Sequence, residues 1–249
     1  MSEVSFENFG HVAKKVGYGN IFISSSRYKF QEKFIPILLN DIKNKLRVSH
    51  NDTLLDVGCG LGLFLIPLSF FCNSVVGIDH KNFINQIKSN FRFIIKKNLI
   101  SGNFLKIKLN RKFDKILIYS VVHYLSSEKE FQKFIYKAIS LLKHKGILLI
   151  GDIPIREYEK AFIKSKEGKK YYQKIEKIKK AHKKKSKAFG ISNFLKNRKK
   201  DSKLVTIDLE MIQNLKKRLN SKKLKVKFLR HKKLTMFNDT RIDIIIERK

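Results

Sequence analysis

Two acids and three glycines in the first third of this 249-residue chain are spaced so that they could do chemistry together. Residues 54–62 read Leu54-Leu55-Asp56-Val57-Gly58-Cys59-Gly60-Leu61-Gly62. A strand that enters such a turn and leaves it in a helix brings backbone amides close to a ligand, because glycine lets the main chain approach without a Cβ. The Gly-x-Gly-x-x-Gly fingerprint of nicotinamide and flavin sites is not met, since its third glycine would fall at Leu63. The spacing is instead Asp-x-Gly-x-Gly-x-Gly, and a carboxylate two residues before the first glycine suits a cation rather than a pyrophosphate. Asp79 lies 23 residues after Asp56, where an acid can take both hydroxyls of a ribose.

The elements that must position these groups follow from hydrophobic periodicity. Residues 26–47 have helical spacing, with Pro36 inside, so the helix kinks or starts there. Residues 53–57 form a strand ending in the glycine turn, a helix-length apolar segment follows, and residues 74–78 form a second strand. Residues 81–97 are helical in pattern, a weak third strand precedes Gly102, and residues 115–119 are a fourth. Ser127 and Glu130 read as a capping box for a helix that Gly146 ends, and residues 147–150 are a fifth strand. Residues 156–200 are helical and Lys-rich, broken near Gly168 and Gly190. A helix over 208–219 and strands at 224–229 and 241–247, turned around Asn238-Asp239, follow. The alternation predicts α/β architecture.

Asp56, the three glycines and Asp79 resemble the class I S-adenosylmethionine-dependent methyltransferases. The resemblance covers roughly residues 30–155 and returns at the C-terminal strand pair. It implies a Rossmann-like, doubly wound, seven-stranded sheet, mainly parallel with an antiparallel C-terminal strand. It also implies that Asp56, Gly58, Cys59, Gly60 and Gly62 wrap the methionine part of S-adenosylmethionine and that Asp79 binds the ribose. The family's Gly-Asp-Phe segment at adenine is here Gly102-Asn103-Phe104, with Asn103 for Asp, and an amide can still serve adenine. His80 is an adenine-side neighbour or exposed, and Ser120 lies at the cofactor end of strand four. Cys59 is a small filler within the turn and not a nucleophile.

Methyl transfer is an in-line displacement, and an oxygen acceptor also needs a group to take its proton. Such groups must sit at the carboxyl ends of strands four and five, beside the cofactor crevice. His123 is expected as the base, Asp152 as the orienting acid and Tyr124 as a wall of the acceptor pocket. Marks of nucleic-acid base methylation are missing after strand four: there is no Pro-Pro pair, no nearby cysteine, and Ser120 stands where a ribose methyltransferase would have Asp.

The net charge of +34 invites a nucleic-acid reading, but 45 of the 55 basic residues are Lys, which fits A/T-rich codon bias as well as function. Lys also lacks the bidentate fork that Arg brings to phosphates. Residues 160–200 carry 17 basic groups and only two acids, Glu167 and Glu176. Tyr171, Ile175, Ile178 and His182 make one narrow apolar stripe there, so the segment can dock on the domain and expose its Lys face.

We therefore expect an N-terminal lid or helix region (1–47), a cofactor core (48–155), a basic helical insert acting as a substrate lid (156–205) and a C-terminal helix and hairpin (206–249). Lys183, Lys184 and Lys185 are expected to meet an anionic small-molecule substrate, a nucleotide-linked or phosphorylated sugar of a surface polysaccharide pathway. An RNA methyltransferase using the insert as a phosphate track is the second choice. A non-catalytic binder of nucleic acid or an anionic membrane surface is the third. Two cysteines make neither a disulfide framework nor a zinc site, so no metal is expected and a reducing compartment is the default. With no apolar leader in residues 1–15 and no transmembrane segment, the expectation is a cytoplasmic protein.

Overall fold

Among the residues described by this computed structural model (7, 29–91, 98–185, 204–220, 223–231 and 239–249), seven strands form one sheet. They are β1 (Thr53–Val57), β2 (Ser74–Asp79), β3 (Leu99–Ser101), β4 (Phe113–Tyr119), β5 (Leu142–Pro154), β6 (Leu224–Arg230) and β7 (Arg241–Arg248). Their order is β3-β2-β1-β4-β5-β7-β6. Strands β1 to β5 pair in parallel, and β7 runs antiparallel between β5 and β6. The expected doubly wound sheet is therefore present, with its order reversing between β1 and β4. In open α/β sheets such a reversal is where ligands bind, beyond the carboxyl ends of the strands.

Side chains of the sheet alternate between two apolar layers. Leu55, Ile116, Ile118, Leu148 and Ile150 face α4 (Glu128–Ser140) and α7 (Leu209–Leu219), whose Phe131, Phe134, Ile135, Ile212 and Leu215 fill that side. Leu54, Val75, Leu117 and Leu149 face the opposite layer, made by α1 (Ile35–Leu46), α2 (Leu65–Ser69) and α3 (Lys81–Asn90). Burying both faces explains why the central strands read as nearly continuous apolar runs.

Several local expectations shift by a few residues. Helix α1 starts at Ile35 with Pro36 in its first turn, after a 3-10 stretch at Lys29–Phe34, so the proline initiates and does not kink. The Ser127 hydroxyl accepts from Glu130 N at 3.2 Å, as a cap should. The Glu130 carboxylate accepts from Ser126 N and Oγ, at 2.6 and 2.7 Å, one residue before the reciprocal partner of a standard box. Gly146 does not end α4, which closes at Ser140; it lies inside β5, where a Cβ would stand 2.9 Å from Lys143 O.

The insert opens with α5 (Arg156–Lys164) and α6 (Lys166–Lys185). Its break falls at Ser165 and not at Gly168. A Cβ on Gly168 would sit 1.7 Å from Phe162 O, so this glycine lets two helices meet at a sharp corner. Ile175 is buried and Tyr171 and Ile178 are half-buried, while Lys169, Lys170, Lys174 and Lys177 are exposed. The helical pattern at residues 92–97, Gly190 and Asn238 lie outside the described residues, as does the side chain of His182.

Candidate active site

The turn after β1 is shaped by three glycines with φ of 78°, 54° and 84° at Gly58, Gly60 and Gly62. Each has its own reason. A Cβ on Gly58 would lie 2.4 Å from Val121 Cγ2, so the turn after β1 abuts the chain leaving β4. On Gly62 it would lie 2.7 Å from Ile66 Cδ1, in the first turn of the following helix. On Gly60 it would meet nothing within 4 Å, which leaves this position facing open space. The turn is tied to β2 by Gly58 N and Cys59 N, which donate to Ile78 O at 2.8 and 3.2 Å.

Asp79 completes the crevice wall. Its Oδ2 accepts from Gly60 N at 2.7 Å and its Oδ1 from His80 N at 2.6 Å, which leaves each oxygen a further lone pair. Desolvation pushes this carboxyl up to about 6, against the hydrogen bonds from His80 and Gly60. Asp56 is 3% exposed, and among the described residues no hydrogen-bond donor reaches its carboxylate. Burial, and then the charge of Asp79, pushes it up to about 8. A carboxyl in that state is relieved by a cation brought beside it.

The remaining residues expected around a cofactor have mixed placements. The Cys59 side chain belongs to the apolar layer with Leu65 and Leu99, and burial, then the Asp79 and Asp56 charges, pushes the thiol well up. That state suits a filler and not a nucleophile. His80 is buried, not exposed: its Nδ1 caps α3 by accepting from Asn82 N at 3.2 Å, and its Nε2 lies 3.2 Å from Glu7 Oε2. An accepting Nδ1 assigns the proton to Nε2. Asn103 Oδ1 accepts from Leu105 N at 3.0 Å. The Phe104 ring is buried against Phe134, with centroids 4.8 Å apart, so its side chain faces the core.

At the exits of β4 and β5 the structure joins Ser120 to Asp152. The Ser120 hydroxyl donates to Asp152 Oδ2, and both residues have positive φ, 61° and 60°. Asp152 sits on a bulge, where the β5–β7 register shifts between Ile150 and Ile153. Its amide donates to Asp243 Oδ1 at 2.9 Å and its Oδ1 lies 3.5 Å from Arg241 Nε. His123 and Tyr124 occupy a 3-10 turn, ring against ring at 4.1 Å. No hydrogen bond joins His123 to Asp152 among the described residues. Lys183, Lys184 and Lys185 close α6, and their side chains lie outside the described residues.

Sequence reading missed the group behind Asp152. Asp243 is fully buried and accepts from Lys45 Nζ and His231 Nε2, both at 2.5 Å. Burial favours its neutral form, yet His231 and Lys45 hold the carboxyl below the ordinary range. Its alternation in β7 places it in the core, and no motif marks it. Arg241 also reaches Glu159 at 3.3 Å, linking the bulge to α5.

A family model described as a methyltransferase domain matches residues 48–190, more than half of the chain. An uncharacterised methyltransferase of Schizosaccharomyces pombe is 28% identical over 127 residues, 49% of this chain and 48% of that protein. A ubiquinone biosynthesis O-methyltransferase of Pelagibacter ubique is 31% identical over 144 residues, 52% of this chain and 58% of that protein. The matched stretch thus spans about half the length of these curated relatives. Among solved structures, the N-methyltransferase NodS from Bradyrhizobium japonicum with S-adenosylhomocysteine has a TM-score of 0.58 at 14% identity, covering 97% of this chain and 98% of that one. That likeness is one of fold. With the family model laid over the glycine turn, Asp79 and the exits of β4 and β5, the chain belongs to the class I S-adenosylmethionine-dependent methyltransferases.

Proposed function

We propose that this chain moves the methyl group of S-adenosylmethionine onto a hydroxyl of a small anionic metabolite, with a phosphorylated or nucleotide-linked sugar of a surface polysaccharide pathway as first choice. The residues present fit the cofactor. Asp56 lacks a donor among the described residues and suits its cationic end. The open face of Gly60 gives room for it, and Asp79 keeps lone pairs for the ribose hydroxyls. When bound, S-adenosylmethionine supplies an electrophilic methyl on a sulfonium. His123 takes the proton of the acceptor hydroxyl, and Asp152, fixed by Ser120, orients that hydroxyl. Tyr124 walls the acceptor side.

The observation behind the small, anionic acceptor is the seat of the insert. Arg156 N donates to Ile207 O at 2.9 Å and Val205 N donates to Leu125 O at 2.7 Å, so both ends of residues 156–205 are anchored beyond β4 and β5. Gln31 Nε2 reaches the Tyr171 hydroxyl at 3.4 Å, bringing the stretch before α1 against α6. A Lys-covered cover over a crevice that also holds Arg241 favours an acceptor with negative charge. The O-methyltransferase relative supports an oxygen acceptor. The sugar choice rests on the likeness of His123-Tyr124 and Gly151-Asp152-Ile153-Pro154 to sugar-modifying members of the family.

The test is transfer of labelled methyl from S-adenosylmethionine to a panel of nucleotide sugars, sugar phosphates, neutral phenols and random RNA. Product on a charged sugar supports the proposal. Product on RNA, with an affinity falling steeply with salt, would replace it with the phosphate-track reading. Product on neutral phenols alone would overturn the anionic acceptor.

A further inference from the structure

Lys137 lies on α4, away from the glycine turn and from the exits of β4 and β5. Its ammonium does not meet an acid: among the described residues no carboxylate pairs with it. It donates instead to three backbone carbonyls of the chain after β3, those of Phe104 at 2.6 Å, Leu105 at 3.2 Å and Ile107. The ammonium has three protons, and three carbonyl oxygens take them. The Phe104 ring completes the enclosure, 5.0 Å from Nζ. Burial pulls the ammonium pKa down, and among the described residues three carbonyl dipoles, with no carboxylate, face this charge.

Those carbonyls belong to a turn that would otherwise splay. Lys106 N and Ile107 N both donate to Asn103 O, at 2.9 and 3.1 Å, which leaves the next carbonyls pointing inward together. Convergent carbonyls repel one another unless a cation or several donors sit between them. One of the three also belongs to a continuous chain of bonds. Lys137 Nζ donates to Phe104 O; the N–H of that same peptide, Leu105 N, donates to Asn103 Oδ1 at 3.0 Å. Polarising the carbonyl strengthens the amide on its other end. The turn is joined to the ribose-side acid through Gly102 N, which donates to Asp79 O at 2.9 Å.

We infer that Lys137 is a positioning residue for the cofactor: through the Phe104–Leu105 peptide it fixes the Asn103 side chain on the adenine side of the crevice. The inference rests on the reading that residues 102–104 face adenine. A structural lysine that only stitches the turn to α4 would add stability without touching affinity.

Titration calorimetry of the full chain with S-adenosylhomocysteine and with methylthioadenosine separates these roles. Lys137→Met keeps the apolar stem and removes the donors; it should weaken both ligands by about tenfold or more, equally, since both share the adenosine. Lys137→Gln keeps two donors, should fall between, and serves if the Met variant does not fold. In a double-mutant cycle, Lys137→Met should cost less than half as much, in free energy, in an Asn103→Ala background as in the wild type. Unchanged affinity in a folded Lys137→Met or Lys137→Gln protein, or a full additive loss in the cycle, overturns the positioning role. An Asn103→Ala protein with wild-type affinity overturns the adenine-side reading, and the inference with it. Absence of binding by the wild-type chain would instead sink the cofactor assignment itself.

Discussion

Ser120 and Asp152 share one hydrogen bond and one unusual conformation: each lies at φ near +60°, at the exit of a neighbouring parallel strand, and the serine hydroxyl is given to the carboxylate. Non-glycine residues in that region carry strain of about 1–2 kcal/mol each, which surrounding structure must over-determine. Two such residues facing each other support the proposed acceptor side more firmly than either does alone. Ser120→Gly tolerates the same φ but removes the hydroxyl. Its turnover on the acceptor should drop about tenfold or more, as expected for a lost bond to a charged group. Turnover within twofold of wild type would remove Ser120 from the arrangement.

Asp56 offers a test by pH without any acceptor. Its carboxyl is raised from 3.8 to about 8 in the fold, so the unfolded chain releases this proton first. The folded state then binds more protons than the unfolded one, and stability falls as pH rises. Compared with Asp56→Asn, the wild type should lose stability progressively from about pH 4 to pH 8 and change no further above that. Denaturant unfolding at pH 5, 7 and 9 reads the gap. A gap that stays constant across this range would show the carboxyl to be ionised throughout.

The same shift sets the affinity profile. A cation beside Asp56 and a ribose on Asp79 both favour ionised carboxylates, so S-adenosylmethionine binding should strengthen from pH 5 to pH 8 and release protons. Calorimetry in two buffers of different ionisation enthalpy counts them. Proton uptake in place of release would contradict this placement of the cofactor.

Gly60 and Gly62 should separate binding from stability. Gly62→Ala forces a Cβ to 2.7 Å from Ile66 at a φ of 84°, and should lower stability by about 1–3 kcal/mol. Gly60→Ala meets no protein atom within 4 Å and should cost about 1–2 kcal/mol of backbone strain. It should nevertheless lose S-adenosylhomocysteine affinity well beyond the Gly62 variant, because its methyl enters the crevice. Equal losses of affinity would mean that Gly60 does not line the cofactor.

Asp243→Leu removes the acceptor of buried His231, of half-buried Lys45, which keeps Asp41, and of the Asp152 amide at once. Leaving Lys45 and His231 without it should cost about 3–5 kcal/mol of stability. In the wild type the depressed carboxyl contributes stability above its ordinary pKa that fades as pH falls through the folded value. Urea unfolding of both proteins at pH 7 and pH 4 checks the size and the direction.

Much of the fold was legible because it obeys local rules. The β1 glycine turn, the cap at Ser127 and the strand expected at 241–247, observed at 241–248, all follow from spacing a few residues long. What escaped was set by contacts distant in sequence. Asp243 meets Lys45 across 198 residues and Asp152 across 91, and no periodicity links those positions. Phe104 completes a motif by type but turns its ring toward Phe134, since an aromatic beside an open core site is drawn in. Gly168 reads as a helix breaker, whereas its use is the close approach of Phe162 O.

The antiparallel strand β7 has a consequence for synthesis. It is the last of the described strands in sequence, yet it lies inside the sheet, between β5 and β6. Until residues 241–248 have been made, the 13-residue β5 lacks the strand that, among the described residues, covers this edge in the finished sheet. A nascent chain stalled before that point would present a long, pairing-competent strand to its neighbours on the same message. An interval in which copies of this chain can pair through β5 therefore lies before β7 leaves the ribosome.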